Sequence, residues 1–400
     1  MCATPANFTI RQLAELDACT RCGECMKWCQ AYAESDRDLA PPVVRLQDLK
    51  RLLKSENGIP VLSHLLGPRK LADQELEDLS SDIFRCTLCA RCAAACPVRI
   101  DLRALWLSAR EEMIGRGHYP GKLSQVSAAI AEQHNVVNYP NEERALWVDY
   151  MADAPDDGYQ RPRAEVVYFV GCIASFSPAA QSIPEAFVQV LTKAGVDFTI
   201  LGEREHCCGF PLIAAGKRAE AEALKQHNAE MVRQAGAKTV VFTCPSCYLT
   251  WKTEYQSILP EVKLVHSAQF ILDLIKEGRI RLTSAGLKLT YHDPCDLGRN
   301  AGEYEAPRGI LRDIPGGELI EARANRDRGL CCGGGGDLEI SDPTLAANMA
   351  GRSLGAFEAT GADVLVTACQ QCKRMFQSAK EKRGARIGIL DLAELVQRIS

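Results

Sequence analysis

The sequence predicts an α/β protein: a mainly helical N-terminal region followed by an α/β domain that occurs twice. Three observations lead there. In the first 150 positions apolar residues recur at helical spacing with few strand signals, whereas beyond position 163 short β-branched runs alternate with helical stretches. The order of five cysteines in the second half then repeats, with offsets of 123 to 125 residues. Strand–helix alternation argues for parallel sheets, and so long a period points to two homologous domains rather than a solenoid.

The chain of 400 residues can bury more than one core, and 46% hydrophobic with 24% charged residues is ordinary for a soluble globular protein. A formal charge of −4 gives no reason to expect nucleic acid or an anionic membrane as partner. The longest apolar run, Val166–Ala174, is far shorter than the roughly 18 residues of a spanning helix, and the N-terminus lacks the pattern of a secretory signal. The expectation is a cytoplasmic protein with no direct membrane span, peripheral at the cytoplasmic membrane only through a partner protein. Nineteen cysteines, clustered at short spacings, fit metal sites in a reducing compartment better than disulfides.

In chain order, leucines at helical spacing mark helices over Arg45–Lys54 and Leu71–Leu79. Leu102, Leu105, Trp106, Ala109 and Met113 form an apolar stripe read as core packing; Asp101 is the expected N-cap, and Gly115 and Gly117 close the segment. The stretch 152–163, rich in Pro, Asp and Gly, reads as a linker. After it come EVVYFV, a helix near Pro184–Ala194, FTIL, a long helix near Ala219–Ala235 stopped by Gly236, and the strand KTVVFT. AGAKTVVFTCPSC is then matched by TGADVLVTACQQC, and VKLVHSAQFILDLI by ARIGILDLAELVQRI. The expected boundaries are 1–150 for the helical part, 151–163 for the linker, 164–286 for the first repeat and 287–400 for the second.

Two quartets, Cys19-x2-Cys22-x2-Cys25-x3-Cys29 and Cys86-x2-Cys89-x2-Cys92-x3-Cys96-Pro97, have the spacing of bacterial ferredoxins. There the fourth cysteine ligates the other cluster. The predicted ligand sets are therefore Cys19, Cys22, Cys25 and Cys96 for one cubane [4Fe–4S] cluster and Cys86, Cys89, Cys92 and Cys29 for a second. Gln30 stands where proline would usually follow. The competing reading is a pair of structural zinc sites, for which the full x2-x2-x3 rhythm is uncommon.

Each repeat supplies a single cysteine, an adjacent pair and a CxxC: Cys172, Cys207, Cys208, Cys244 and Cys247 in the first, Cys295, Cys331, Cys332, Cys369 and Cys372 in the second. Five thiolates are one too many for a tetrahedral zinc or an ordinary cubane, and suit a larger irregular cluster with a bridging sulfur. Cys244 and Cys369 end strands where a helix begins, the place where open α/β sheets gather ligands. Gly209 and Gly333 let backbone approach a cluster. The run Gly333–Gly336 lacks the frame of a phosphate loop; its extra glycines are expected to leave room for a substrate. His206 and His292 are either proton sources or hydrogen-bond partners of sulfur or backbone. Cys2 belongs to no motif.

These motifs, Cx34CCx35CxxC and Cx35CCx36CxxC behind a ferredoxin-type helical part, resemble the CCG domains of the heterodisulfide reductase family. The likeness is to its D-type chain above all, and covers nearly the whole sequence. The resemblance implies α/β with an N-terminal mainly helical ferredoxin-like domain and two duplicated α/β CCG domains. It implies four [4Fe–4S] clusters, two cubane and two noncubane, and an enzyme that reduces or forms a small disulfide between the noncubane pair. Implied partners are other redox subunits: a membrane b-type cytochrome, or a flavin- or ferredoxin-linked subunit. CCG domains also occur in iron–sulfur relay subunits of glycolate, lactate and glycerol-3-phosphate oxidation, which deliver electrons to a quinone or cytochrome. A third reading is a zinc-stabilised interaction protein.

Overall fold

The computed structural model describes residues 7–57, 70–284 and 286–400; Cys2 lies outside them. The chain divides into two compact units, each discontinuous in sequence. The first comprises residues 1–125 with two later segments, 211–218 and 333–349; the second comprises 126–210, 219–332 and 350–400.

The first unit is helical among its described residues. Its longer helices are Ile10–Asp17, Pro42–Asn57, Asp73–Phe84 and Leu102–Gly115. Thr9 and Gln12 form a capping box at the first of these. At the last, the Asp101 carboxylate accepts the Ala104 N–H at 3.0 Å, satisfying one of the open donors of the first turn. Leu102, Leu105, Trp106, Ala109 and Met113 are all buried. Arg110 lies on the same stripe and is fully buried. It donates to the carbonyls of Ile83, Phe84 and Cys86, and also to Ala214 and Gly336 in the two later segments. Those segments are further held by Gln30 Nε2 on the Met349 carbonyl at 2.9 Å and by the Arg85–Asp342 ion pair at 2.9 Å. Gln30, at the position where proline would usually stand, thus has its own structural employment.

The second unit holds two four-stranded sheets. The first contains β1 (Val166–Phe169), β2 (Phe198–Ile200), β3 (Thr239–Phe242) and β4 (Lys263–His266), in the order β2-β1-β3-β4. The second contains β5 (Lys288–His292), β6 (Glu318–Leu319), β7 (Val364–Thr367) and β8 (Gly388–Asp391), in the order β6-β5-β7-β8. All pairings are parallel. β1 is buried at every position and β3 at all but its first, as a parallel sheet with both faces covered requires. The helix Glu222–Ala235 ends where Gly236 turns left-handed at φ 67°. Residues 152–163 form turns, and Tyr159 is buried against Phe198 with ring centroids 5.4 Å apart. The two repeats pack reciprocally. Helix Ser182–Lys193 of the first lies on helix Leu392–Ile399 of the second, and Ser267–Lys276 of the first on Glu305–Arg312 of the second.

Candidate metal centres

In a sheet ordered 2-1-3-4 the connections from strand 1 leave in opposite directions, and the crevice between the carboxyl ends of strands 1 and 3 is the topological switch point where ligands bind. Both repeats place cysteines there. Cys172 follows β1 and Cys244 follows β3; Cys295 follows β5 and Cys369 follows β7. Cys244 and Cys369 are the N-caps of the next helices, and Cys369 Sγ accepts the Cys372 N–H at 3.4 Å. The CC pairs and CxxC thiols in both repeats are buried, as is Cys172; Cys295 is half-buried.

In the first repeat the sulfurs form a continuous chain, Cys172–Cys207–Cys208–Cys247–Cys244. Thiol donors from Cys207 and Cys247 hold Cys208 down to about 6. In the second repeat Cys295 meets Cys331, and Cys372 Sγ lies 3.1 Å from Cys332 Sγ and also bonds Cys369. Five convergent thiols in each repeat are a donor set suited to iron. Backbone approach is close as well: a Cβ on Gly171 (φ 82°) would stand 3.3 Å from Cys247 Sγ.

Polar side chains hold the cysteine loops. Glu205, fully buried, accepts the Val170 and Gly171 N–H groups and Arg144 Nη1, each at 2.8 Å, and Arg144 Nη2 lies 3.7 Å from Cys172 Sγ. Asn228 grips the His206–Cys207 peptides, and its counterpart Ser353 donates to the Cys331 carbonyl at 2.7 Å. Two links join the repeats at their cysteine loops. Gln370 Nε2 donates to Val170 O and Thr243 Oγ1, both at 2.7 Å, and its Oε1 accepts the Ala174 N–H. In return Ser246, between Cys244 and Cys247, bonds Asp296 beside Cys295 at 2.7 Å.

The histidines have different settings. His206 is the middle ring of a stack, 3.8 Å from His134 and 3.5 Å from His227. His292 is buried, neither ring nitrogen has a hydrogen-bond partner among the described residues, and it groups with Cys332 and Cys372, the ligand atoms lying within 4.8 Å of one another. Burial, joined at His206 by the neighbouring rings and Arg144, lowers both to about 3, so both are neutral imidazoles near pH 7.

In the first unit the two quartets share one backbone design. Arg21 (φ 59°) and Gly23 (φ 79°) flank Cys22, and Leu88 (φ 55°) and Ala90 (φ 60°) flank Cys89. Three of these four carry a Cβ in left-handed conformation, strain of a kind that collects at functional sites. One cavity is lined by Cys19, Cys22, Cys25 and Cys96, another by Cys29, Cys86, Cys89 and Cys92. The fourth thiol of each motif thus lines the cavity of the other. None of the described cysteines is in a disulfide.

The glycine run continues from the second CC pair into the first unit. A Cβ on Gly335 would come within 2.8 Å of Thr87 O, and one on Gly336 within 2.5 Å of Cys86 O. These glycines serve close backbone packing on the Cys86–Thr87 turn. Sequence reading missed Arg45, Arg110 and Arg144, each buried beside a cysteine motif. A signal existed for two of them: Arg45 stands in register with Leu49 and Leu52, and Arg110 with Trp106 and Met113, charges at core positions of a helical stripe.

Fold and thiols together define an iron–sulfur oxidoreductase subunit, and comparison with known proteins agrees. Residues 166–252 and 289–377 match the cysteine-rich domain family CCG, and residues 15–100 match the 4Fe-4S dicluster domain family. The D-type chains of the dihydromethanophenazine:CoB–CoM heterodisulfide reductases of Methanosarcina mazei and Methanosarcina acetivorans are each 36% identical, over 98% of this chain and 95% of theirs. The EtfAB:quinone oxidoreductase of Syntrophomonas wolfei is 29% identical over 82% of this chain and 49% of its own. The chain belongs to the heterodisulfide reductase family, within the branch of its D-type chains. It is accordingly an iron–sulfur protein. No described helix is long and apolar enough to cross a membrane.

Proposed function

We propose that the protein passes electrons through two cubane clusters to two noncubane [4Fe–4S] clusters, where a small disulfide is reduced to two thiols. The cubane ligands are Cys19, Cys22, Cys25 and Cys96, and Cys86, Cys89, Cys92 and Cys29. The noncubane ligands are the two five-cysteine sets of domains 164–286 and 287–400. The observation that carries this reading is the joining of the two five-thiol sites within one compact unit by Gln370 and by Ser246–Asp296. Reduction of RS–SR takes two electrons and two protons; two linked one-electron centres supply the electron pair, and the two departing thiolates take their protons from solvent.

Bound clusters supply one-electron transfer and iron atoms that can hold sulfur. The chain does the rest. Glu205 and Arg144 fix the Cys172 loop, Arg144 and the Gly171 approach place positive and small groups beside the sulfurs, and the buried setting keeps water out. The S. wolfei relative favours a second reading, in which the chain relays electrons between a flavoprotein and a quinone. A membrane b-type cytochrome is the partner the first reading calls for.

Iron analysis and EPR with Mössbauer spectroscopy test the proposal. Full loading gives about 16 irons per chain, four for each of four clusters, and Cys331→Ser and Cys332→Ser each remove one noncubane signal while both cubane signals persist. Stoichiometric zinc with little iron, or loss of a cubane signal in these variants, refutes the assignment. Failure of the loaded protein to turn over any small disulfide with a low-potential donor leaves the flavoprotein relay as the function.

A further inference from the structure

The two cubane sites of the first unit differ sharply in charge. The cavity lined by Cys29, Cys86, Cys89 and Cys92 is also lined by Arg45, Arg91 and Arg103. The cavity lined by Cys19, Cys22, Cys25 and Cys96 has one arginine, Arg21, which is solvent-exposed. Arg45 is 1% exposed. Its Nη1 donates to the Asp82 carbonyl at 2.9 Å, its Nη2 lies 3.7 Å from Cys29 Sγ, and its Nε has no partner among the described residues. Among the described residues no carboxylate oxygen lies within salt-bridge distance of Arg45 or of Arg110. Arg110 is fully buried and donates to the Cys86 carbonyl at 2.7 Å. On the other quartet the polar partner of sulfur is neutral, Gln47 Nε2 at 3.6 Å from Cys19 Sγ, and Cys22 is exposed.

A guanidinium keeps its charge, and burying one without a counter-ion is costly. Asp82 lies near Arg45 and Asp337 near Arg110, but neither forms an ion pair with it, so the two guanidinium groups are left to balance a further buried anion, and a cluster held by four thiolates is that anion. Reduction adds one more negative charge to it. Nearby cations and N–H···S bonds favour that extra charge. Burial works the other way, since water favours the reduced form at the exposed site; its contribution is opposed here by several low-dielectric cations, while Arg21 at the other site is screened by solvent.

We propose that Arg45 sets a polarity in the relay. It holds the Cys29/Cys86/Cys89/Cys92 cluster at a higher reduction potential than the Cys19/Cys22/Cys25/Cys96 cluster. One electron then passes from the reduced, more exposed cluster to the oxidised, more buried one, with no proton moved, and the more exposed cluster is the port that faces a one-electron redox partner. The inference rests on the cubane assignment above. Arg45 is a tuning residue here, since it acts on the cluster through the Cys29 sulfur.

The test is an EPR-monitored redox titration of the intact, anaerobically loaded protein, with Cys22→Ser used to assign the signal of the exposed cluster. In the wild type, limited reductant brings up the buried-cluster signal first. Arg45→Met lowers the potential of that cluster by at least the equivalent of a tenfold change in its electron affinity, about 59 mV for one electron, and leaves the other potential in place; Arg45→Lys retains most of the wild-type value. The proposal is overturned if the two cubane potentials of the wild type coincide, a result that needs no variant, or if the signal assigned through Cys22→Ser to the exposed cluster is the first to appear. It is also overturned if Arg45→Met holds full iron with both cubane potentials unchanged. Absence of cubane signals from the loaded wild type would instead refute the cluster assignment itself.

Discussion

Replacing Gly336 by alanine tests whether the glycine run serves backbone packing in the first unit. Gly336 sits at φ +58°, and an added Cβ would stand 2.5 Å from Cys86 O, 2.8 Å from the Thr87 carbonyl carbon and 3.1 Å from Thr87 Cα. Gly361 has a similar φ of +71°, but a Cβ there meets no atom within 4 Å. The left-handed conformation costs either alanine about 1–2 kcal/mol. The neighbours of Gly336 are backbone atoms that cannot rotate aside, so overpacking adds about 1–3 kcal/mol. Any shift also draws Gly336 O from Arg110 Nη1, now 2.9 Å away, a bond to a charged donor worth about 1.5–3 kcal/mol. The expected totals are about 3.5–8 kcal/mol for Gly336→Ala and about 1–2 for Gly361→Ala. Calorimetry on the loaded protein, with iron counted before and after mild heating, separates them. Gly336→Ala lowers the melting transition several-fold more than Gly361→Ala and, on the ligand assignment proposed above, releases iron from the Cys86 site first. Equal shifts in the two variants would refute the packing role.

The buried Asp337 carboxyl is raised to about 7 by burial, against the opposing pull of Arg110, and its Oδ2 has no partner. A carboxyl raised in the fold binds more protons folded than unfolded, so stability falls as pH rises from about 4 to 7, by up to about 1.4 kcal/mol per pH unit. Denaturation at a series of pH values will show this slope in the wild type and its loss in Asp337→Asn; an unchanged slope refutes the assignment to Asp337. Gln370→Leu leaves the buried Val170 O without its donor and the Ala174 N–H without its acceptor, while Thr243 Oγ1 keeps the Tyr168 hydroxyl, and is expected to cost about 2–4 kcal/mol by denaturation of the loaded protein. Gln371→Leu, on a half-buried side chain, serves as its control; parity between the two would refute the link between the repeats.

What could be read in the sequence was what repeats locally. The β-branched runs gave β1, β3 and β7, the duplication gave two copies of one sheet order, and Asp101 and Gly236 took the capping positions expected of them. The grouping of the quartets, with Cys29 and Cys96 exchanged between cavities, also follows a known spacing. The two-residue β6 carries no pattern long enough to register. Arg110 and Gln370 were invisible for a different reason. Their partners lie 226 and 200 positions away, at Gly336 and Val170, beyond any periodicity, and a charged or amide residue in a helix reads as solvated until its phase is compared with the apolar stripe. Sequence adjacency ties the glycines after Cys332 to the cysteine pair, whereas Gly335 and Gly336 meet Thr87 and Cys86.

Arg110 also imposes an order on biosynthesis. Its guanidinium is satisfied by carbonyls from residues 83–86, from Ala214 and from Gly336, so three stretches of chain must be present before the donors of one buried cation are filled. The ribosome delivers the second quartet long before it delivers residue 336. Until then the N-terminal region lacks the Gly335–Gly336 backbone that packs on Cys86 and Thr87. On the ligand assignment proposed above, a fragment ending near residue 150 is expected to hold less iron at its Cys86 site than the full chain, by iron analysis, even though every one of its thiols is present.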